Sequence, residues 1–140
     1  MPALRPRRVI APTAGLLAAL ALGACGTTVS TSKFKGEQHA VAQAIADFQT
    51  HATATEQAKV CEQDLAAKVV SGLGGKKGCE AAIKRQLGQV DNLEVTVDSV
   101  AVAADGRTAT ASVRSTYGGK QTPGTIALVK EGGKWKLAGL

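Results

Sequence analysis

The sequence predicts an α+β domain, three N-terminal helices packed on a curved four-stranded antiparallel sheet. Three observations carry that prediction. Between residues 37 and 87, apolar side chains recur at helical spacing. From residue 93 onward they alternate with a period of two. The second half is also punctuated by Asp105-Gly106, Gly118-Gly119 and Gly132-Gly133, pairs that make tight turns between strands. Helices first and strands after place the helices together on one face of the sheet.

In the first predicted helix, Val41, Ala44, Ile45, Phe48 and Ala52 form one apolar face. Thr53-Ala54-Thr55-Glu56 has the form of a capping box, so the first helix should end near His51 and a second should start there. Ala58, Cys61, Leu65 and Val69 line that second helix, and Ser71-Gly72 with Gly74-Gly75 end it. The segment GLGGKKG reads as a loop. A phosphate loop needs G-x-x-x-x-G-K-[ST] after a strand, and here the flanks are helical. Cys79, Ala82, Ile83 and Leu87 form the inner face of the third helix.

Leu93, Val95 and Val97 alternate on one face of the first strand. The phase then slips to Val100 and Val102, and one extra residue near Asp98-Ser99 predicts a β-bulge that bends the sheet. Ala109, Ala111, Val113 and Tyr117 share a face of the second strand, a set of small side chains that leaves room for a cavity or for close helix packing. Pro123 is expected at the start of the third strand, where a missing donor is tolerated. Trp135, in the fourth, is expected as a core plug.

The first 24 residues have another purpose. Arg5, Arg7 and Arg8 precede an uncharged apolar run from Val9 to Leu22, which is short for a spanning helix and fits a secretory signal. Pro6 before and Val9-Ile10 after the arginine pair favour general secretion over twin-arginine export. Leu22-Gly23-Ala24-Cys25 resembles a bacterial lipobox. That resemblance implies cleavage before Cys25, thioether lipidation of its sulfur and acylation of the new amino terminus. Two or more acyl chains are what stable anchoring requires. The expected organisation is a signal peptide over 1–24, a lipidated Cys25 with a Ser/Thr-rich flexible tether over 25–36, and a single domain over 37–140. A tether of that length would reach about 35–40 Å when extended.

Of 140 residues, cleavage removes 24, and the remainder can bury a core of its own. The three signal arginines leave with it, so the formal charge of +6 falls by three. The aromatic residues Phe34, Phe48, Tyr117 and Trp135 are scattered, with no basic stripe between them, and nucleic acid is excluded as a partner. With Cys25 lipidated, Cys61 and Cys79 remain as an even pair in an oxidising compartment, where a disulfide is expected. The rival readings are a metal pair and a redox pair. Zinc would need four ligands, and His39 and His51 lie twelve residues apart and upstream. A redox pair would usually be spaced C-x-x-C. Neither a metal nor a cofactor is expected.

The order of features resembles a known group. A lipobox and tether precede a helix reading Ala40-Val41-x-x-Ala44-Ile45-x-x-Phe48. A Cys-bearing helix, a Cys79-Glu80-x-Ala82 helix and a curved meander ending Gly132-Gly133-Lys134-Trp135-Lys136-Leu137 follow. This resembles the small lipoproteins of actinobacteria built on the nuclear-transport-factor-two-like fold, many of them of unknown function. The resemblance covers Gly36 to Leu140. It implies a cone, a bent sheet wrapped by helices, often with a cavity at the wide end. That fold hosts isomerases, dehydratases and non-enzymes, so it does not choose a function.

Enzymes of the fold use a carboxylate, His or Tyr pointing into the cone. The candidates are Asp47, His51, Asp98 and Tyr117. Asp47 falls on the solvated side of its helix, His39 and His51 near exposed helix ends, and Asp98 at a bend, so no catalytic set is expected. Three functions are carried forward. The first is a lipid-anchored, non-catalytic accessory domain of the cell envelope that binds a protein or envelope polymer. The second is a carrier of an apolar small ligand, with Ala109, Ala111, Val113 and Tyr117 lining the cavity. The third is an isomerase or dehydratase. Homodimerisation through the outer sheet face, rich in Thr and Ser, is open.

Overall fold

Alternation of buried and exposed side chains sets the sheet. The computed structural model describes residues 29–88 and 93–139, and only the backbone of Tyr117. Cys25 and the signal segment lie outside the described residues. Four strands, β1 (Glu94–Val102), β2 (Thr108–Tyr117), β3 (Lys120–Glu131) and β4 (Lys134–Gly139), form an antiparallel meander in the order β1-β2-β3-β4. The inner face presents Val95, Val97, Val100, Ala109, Ala111, Val113, Ile126, Leu128, Trp135 and Leu137, all buried. The register of β1 against β2 shifts between Val97 and Ser99, so Asp98 is the extra residue and two consecutive side chains face outward there. That bulge is the one the phase slip predicts, and it bends the sheet around its inner face.

Pro123 lies inside β3, opposite Arg114, rather than at its start. It is tolerated because β4 pairs only with Ala127–Glu131, so this part of β3 has no fourth strand for a missing donor to disrupt.

The helical layer differs from the expected three helices. The first helix, α1 (Gly36–Thr53), runs past His51. Thr53 does not cap a new helix. Its hydroxyl donates back to the Gln49 and Thr50 carbonyls, a bond that a mid-helix threonine makes in place of a cap. The expected second helix is broken into a single turn α2 (Gln57–Lys59), a π-helical turn Val60–Asp64, and α3 (Ala67–Gly72). At the break, Leu65 is extended and forms a parallel bridge to Leu137, and the Ala66 amide donates to the Leu137 carbonyl at 2.9 Å. Helix α3 then starts with its Ala67 amide donating to the Glu131 carboxylate. Ala58, expected on the inner face, is exposed, and Val60 takes its place in the core.

The last helix, α4 (Gly75–Leu87), starts four residues before Cys79, so half of the glycine-rich stretch is helix. Glycine at 74 supplies a φ of +93°, and at Gly78 a Cβ would strike the Leu73 carbonyl oxygen. The glycines serve close approach of α3 to α4.

Residues 29–35, expected in the tether, lie against the domain. Val29 is 8 % exposed within the core, Phe34 packs against it, and the Lys33 Nζ donates to the Asp98 carbonyl at 2.9 Å. Helix α1 crosses the inner face and is fixed to β1 at both ends. The Gln38 side chain donates to the Val100 carbonyl, and the Val95 amide donates to Gln49 Oε1, both at 3.0 Å. Near its start, Glu37 accepts from Lys130 Nζ at 2.8 Å and from Trp135 Nε1 at 2.7 Å. Trp135 is thus the expected core plug with its one polar atom satisfied.

Cys61 and Cys79 form the disulfide, 6.1 Å between Cα atoms, joining the π-helical turn to α4. Replacing both by serine should cost about 3 kcal/mol, the chain-entropy value for so short a loop. Urea unfolding of the oxidised and variant proteins checks it. Gln49→Leu should leave the buried Val95 amide without its acceptor and cost about 1–3 kcal/mol in the same assay.

Candidate functional site

The core is closed where α1 crosses the middle of the sheet and opens beyond Phe48. Ala111 is fully buried and Ala109 nearly so. Their small side chains let α1 approach, and neither lines the groove on this side. Farther along, Val113 and Ile126 continue the inner face, but their neighbours are Gly124 and Ser115, which fill little space. Phe48 from α1, Leu87 from α4, and Leu93 and Val95 from the start of β1 close the sides. The result is a half-open groove of about 310 Å³. Its described lining carries no ionisable side chain. A second apolar groove of about 210 Å³ shares Phe48 and Leu87 and is bordered by Leu65, Val69, Ile83 and Leu73. Leu73 is the one large apolar side chain among the described residues that stands exposed. Ala109 instead borders a shallow depression of about 200 Å³ at the β1–β2 turn. Of the four residues expected to line a cavity, Val113 lines this groove, and the side chain of Tyr117 lies outside the described residues.

The polar candidates are dispersed. Asp98 is on the outer sheet face, bound through both carboxylate oxygens by Arg114 at 2.7–3.1 Å, and this pairing lowers its pKa. Asp47 is exposed and accepts from Gln43. His51 is not a free helix end. It is half-buried, and its Nδ1 lies 2.7 Å from Oδ2 of Asp64, a residue the sequence did not single out. Asp64 is 4 % exposed because the π-helical turn carries it inward. Burial pushes its carboxyl above the usual value of 3.8, and the bond to His51 opposes that rise.

Asp64 and Asp47 border one depression of about 340 Å³ with Lys134 and Trp135, on a different side of α1 from the apolar groove. The arrangement can tie α1 to the π-helical turn. It does not aim a base into the groove. Among the described residues, no three His, Cys, Asp or Glu side chains cluster as metal ligands. Another depression, of about 420 Å³, lies beside Cys61 and holds Lys76, Lys136 and Glu62. There Lys76, one of the two lysines of the glycine-rich segment, is paired with Glu62, and Lys136 donates to the Glu62 carbonyl. Among the described residues, no helix is long and apolar enough to cross a membrane.

No protein-family model and no curated protein matches this sequence. Among solved structures, the chain is similar to a de novo designed protein with a curved β-sheet, at 21 % identity and a TM-score of 0.35, over 45 % of this chain and 58 % of that one. The match therefore spans less than two thirds of the designed protein. The chain is also similar to the intermembrane-space region of the chloroplast protein ARC6, at 14 % identity and a TM-score of 0.44, over 76 % of this chain and 95 % of that one.

The burial of Asp64 has a definite pH consequence. Its folded pKa is raised, so the folded state binds a proton more tightly than the unfolded state above pH 3.8. The stability this contributes is complete below 3.8 and is lost as pH rises through the folded value. Asp64→Asn keeps an acceptor for His51 and cannot ionise. Urea unfolding at about pH 3 and about pH 7 should show the variant gaining on the wild type at the higher pH. A difference that stays constant, or moves the other way, would show that His51 fully offsets the burial.

Proposed function

We propose that the protein is a membrane-anchored, extracytoplasmic lipoprotein whose domain is a non-catalytic binding module of the cell envelope. Its site is the groove between Phe48, Leu87, Leu93, Val95, Val113 and Ile126, and its ligand is an apolar small molecule. The observation that carries this reading is the groove itself, about 310 Å³ of apolar surface left open on the inner face. That volume is at the lower end of the range of small-molecule sites. The exposed Leu73 and the adjoining apolar groove extend the same surface.

The anchor rests on Leu22-Gly23-Ala24-Cys25 and the apolar run before it. An isomerase or dehydratase would need an acid and a base converging on the groove. Asp47, His51, Asp64 and Asp98 are all engaged elsewhere. We read the fold as nuclear-transport-factor-two-like, a reading supported by the bulge-bent four-stranded meander with helices on its inner face.

Native mass spectrometry of the protein from its own membranes tests the reading as a whole. The expected species carries an acylated Cys25, the Cys61–Cys79 disulfide and a small apolar adduct. An intact, unlipidated amino terminus would overturn the anchor. The groove is tested with N-phenyl-1-naphthylamine, an apolar fluorescent probe. At Gly124 a Cβ would meet Val113 Cγ2 at 3.8 Å, an ordinary contact, so a side chain can start there, and Gly124→Val adds two further methyl groups to the groove lining. The variant should gain about 0.5–1 kcal/mol by removing a strand glycine and should lose probe binding. Unchanged probe binding in a stably folded variant would place the ligand site elsewhere.

A further inference from the structure

Asp64 is the one buried carboxyl among the described residues, and only one of its two oxygens is engaged. Oδ2 meets His51 Nδ1, while Oδ1 accepts from no described residue. Buried polar groups ordinarily have their hydrogen bonds met inside the protein. Among the described residues no buried side-chain oxygen lacks a partner, so Oδ1 is open to the depression of about 340 Å³ that Asp64 borders. Other unengaged polar groups border the same depression. Asp47 accepts from Gln43 through Oδ1 alone, and the side chains of Gln63 and Lys134 bond to no described residue. These groups come from three elements: α1 brings Asp47, the π-helical turn brings Gln63 and Asp64, and β4 brings Lys134. Ala40, Ala44 and Trp135 supply apolar surface between them. In the depression beside Cys61, by comparison, Lys76 and Lys136 are both bonded to Glu62.

We propose that this depression binds one neutral sugar unit, with its hydroxyl groups on Asp47, Gln63, Asp64 and Lys134 and its C–H surface toward Ala44 and Trp135. The volume is within the range of small-molecule sites. A carboxylate only accepts, an ammonium only donates and an amide does both, whereas every hydroxyl both donates and accepts. A polyhydroxyl ligand therefore answers all four groups at once. A simple ion does not. Asp47 and Lys134 carry opposite charges, so an ion of either sign that is drawn to one is repelled by the other. The depression lies on a different side of α1 from the apolar groove, so this inference does not rest on the reading of that groove.

Trp135 is the one tryptophan of the chain, so its indole N–H gives a single reporter signal. The methyl glycosides of glucose, mannose and galactose, and N-acetylglucosamine, are titrated to tens of millimolar into isotope-labelled protein and followed by NMR, with saturation transfer to the sugar protons as a second readout. At least one sugar should shift the Trp135 signal saturably and receive saturation. Gln63→Ala, at an exposed position, should weaken binding several-fold. Asp64→Asn keeps an acceptor for His51, puts an amide donor in place of the open oxygen, and should weaken binding to a similar degree. Gly124→Val, which alters the apolar groove, should leave sugar binding unchanged, and the sugar should not displace N-phenyl-1-naphthylamine. No shift with any of these sugars overturns the proposal and leaves the open oxygen to water. A shift that both weakening variants retain in full, or displacement of the apolar probe by sugar, places the sugar elsewhere and overturns it as well. A shift given by methylammonium or inorganic phosphate but by none of the sugars assigns the depression to an ion and overturns the neutral ligand.

Discussion

The structure depends on closing the two open edges of a four-stranded sheet. An unclosed sheet leaves a row of backbone donors and acceptors on each outer strand, and buried groups of that kind must find partners. At β1 three side chains supply them. Lys33 takes the Asp98 carbonyl, Gln38 the Val100 carbonyl and Gln49 the Val95 amide. The residues that serve β1 all come from the chain just before α1 or from α1 itself. Helix α1 is thereby set in one register along the sheet, and Glu37 adds a second fix through Lys130 and Trp135.

At β4 the same need is met by backbone. Leu65 leaves the helical conformation to bridge Leu137, and the Ala66 amide bonds the Leu137 carbonyl. A continuous helix has no free amide to give a neighbouring strand, so the helix must break where it meets β4. The wide π-helical turn before the break gives the chain its change of direction. It also turns Asp64 inward, and His51 from the end of α1 is the polar group that meets it. The hydrogen bond between His51 and the buried Asp64 is then a consequence of the edge closure. The disulfide from Cys61 holds the same turn to α4, so two cross-links secure the segment that the break has weakened.

Features decided by neighbours in sequence were legible, and those decided by distant partners were not. Alternation, the phase slip at Asp98 and the turn pairs are local, and the four strands and the bulge follow from them. The apolar faces of α1 and α4 follow from local spacing as well, since Val41, Ile45, Phe48, Cys79 and Ile83 are all buried. Ala58, Cys61, Leu65 and Val69 have unbroken helical spacing, yet the backbone breaks in their midst because Leu137 lies seventy-two positions after Leu65. The capping-box pattern at Thr53 lost to a longer helix whose register β1 had fixed. Gln49 and Asp64 read as ordinary polar helix residues, and their burial is set by Val95 and His51. The one available signal was that Gln49 falls one residue after Phe48 and three before Ala52, next to the apolar stripe of α1.

The groove has a different origin from the edges. It arises from the gradient of side-chain size along the inner face of β2 and β3. Ala109 and Ala111 are small where α1 lies directly over them, and the helix occupies the space they leave. Gly124 and Ser115 are small where α1 has already turned toward the start of β1. Nothing among the described residues refills that volume. A Cβ at 124 would meet ordinary contact distances, and glycine weakens a strand, so close packing does not require glycine there. Glycine at this position leaves the groove open at a cost in strand stability. Of the residues that bound it, Val95 belongs to the edge strand β1 and Leu93 directly precedes it, so the groove lies beside the edge that Gln38 and Gln49 of α1 close.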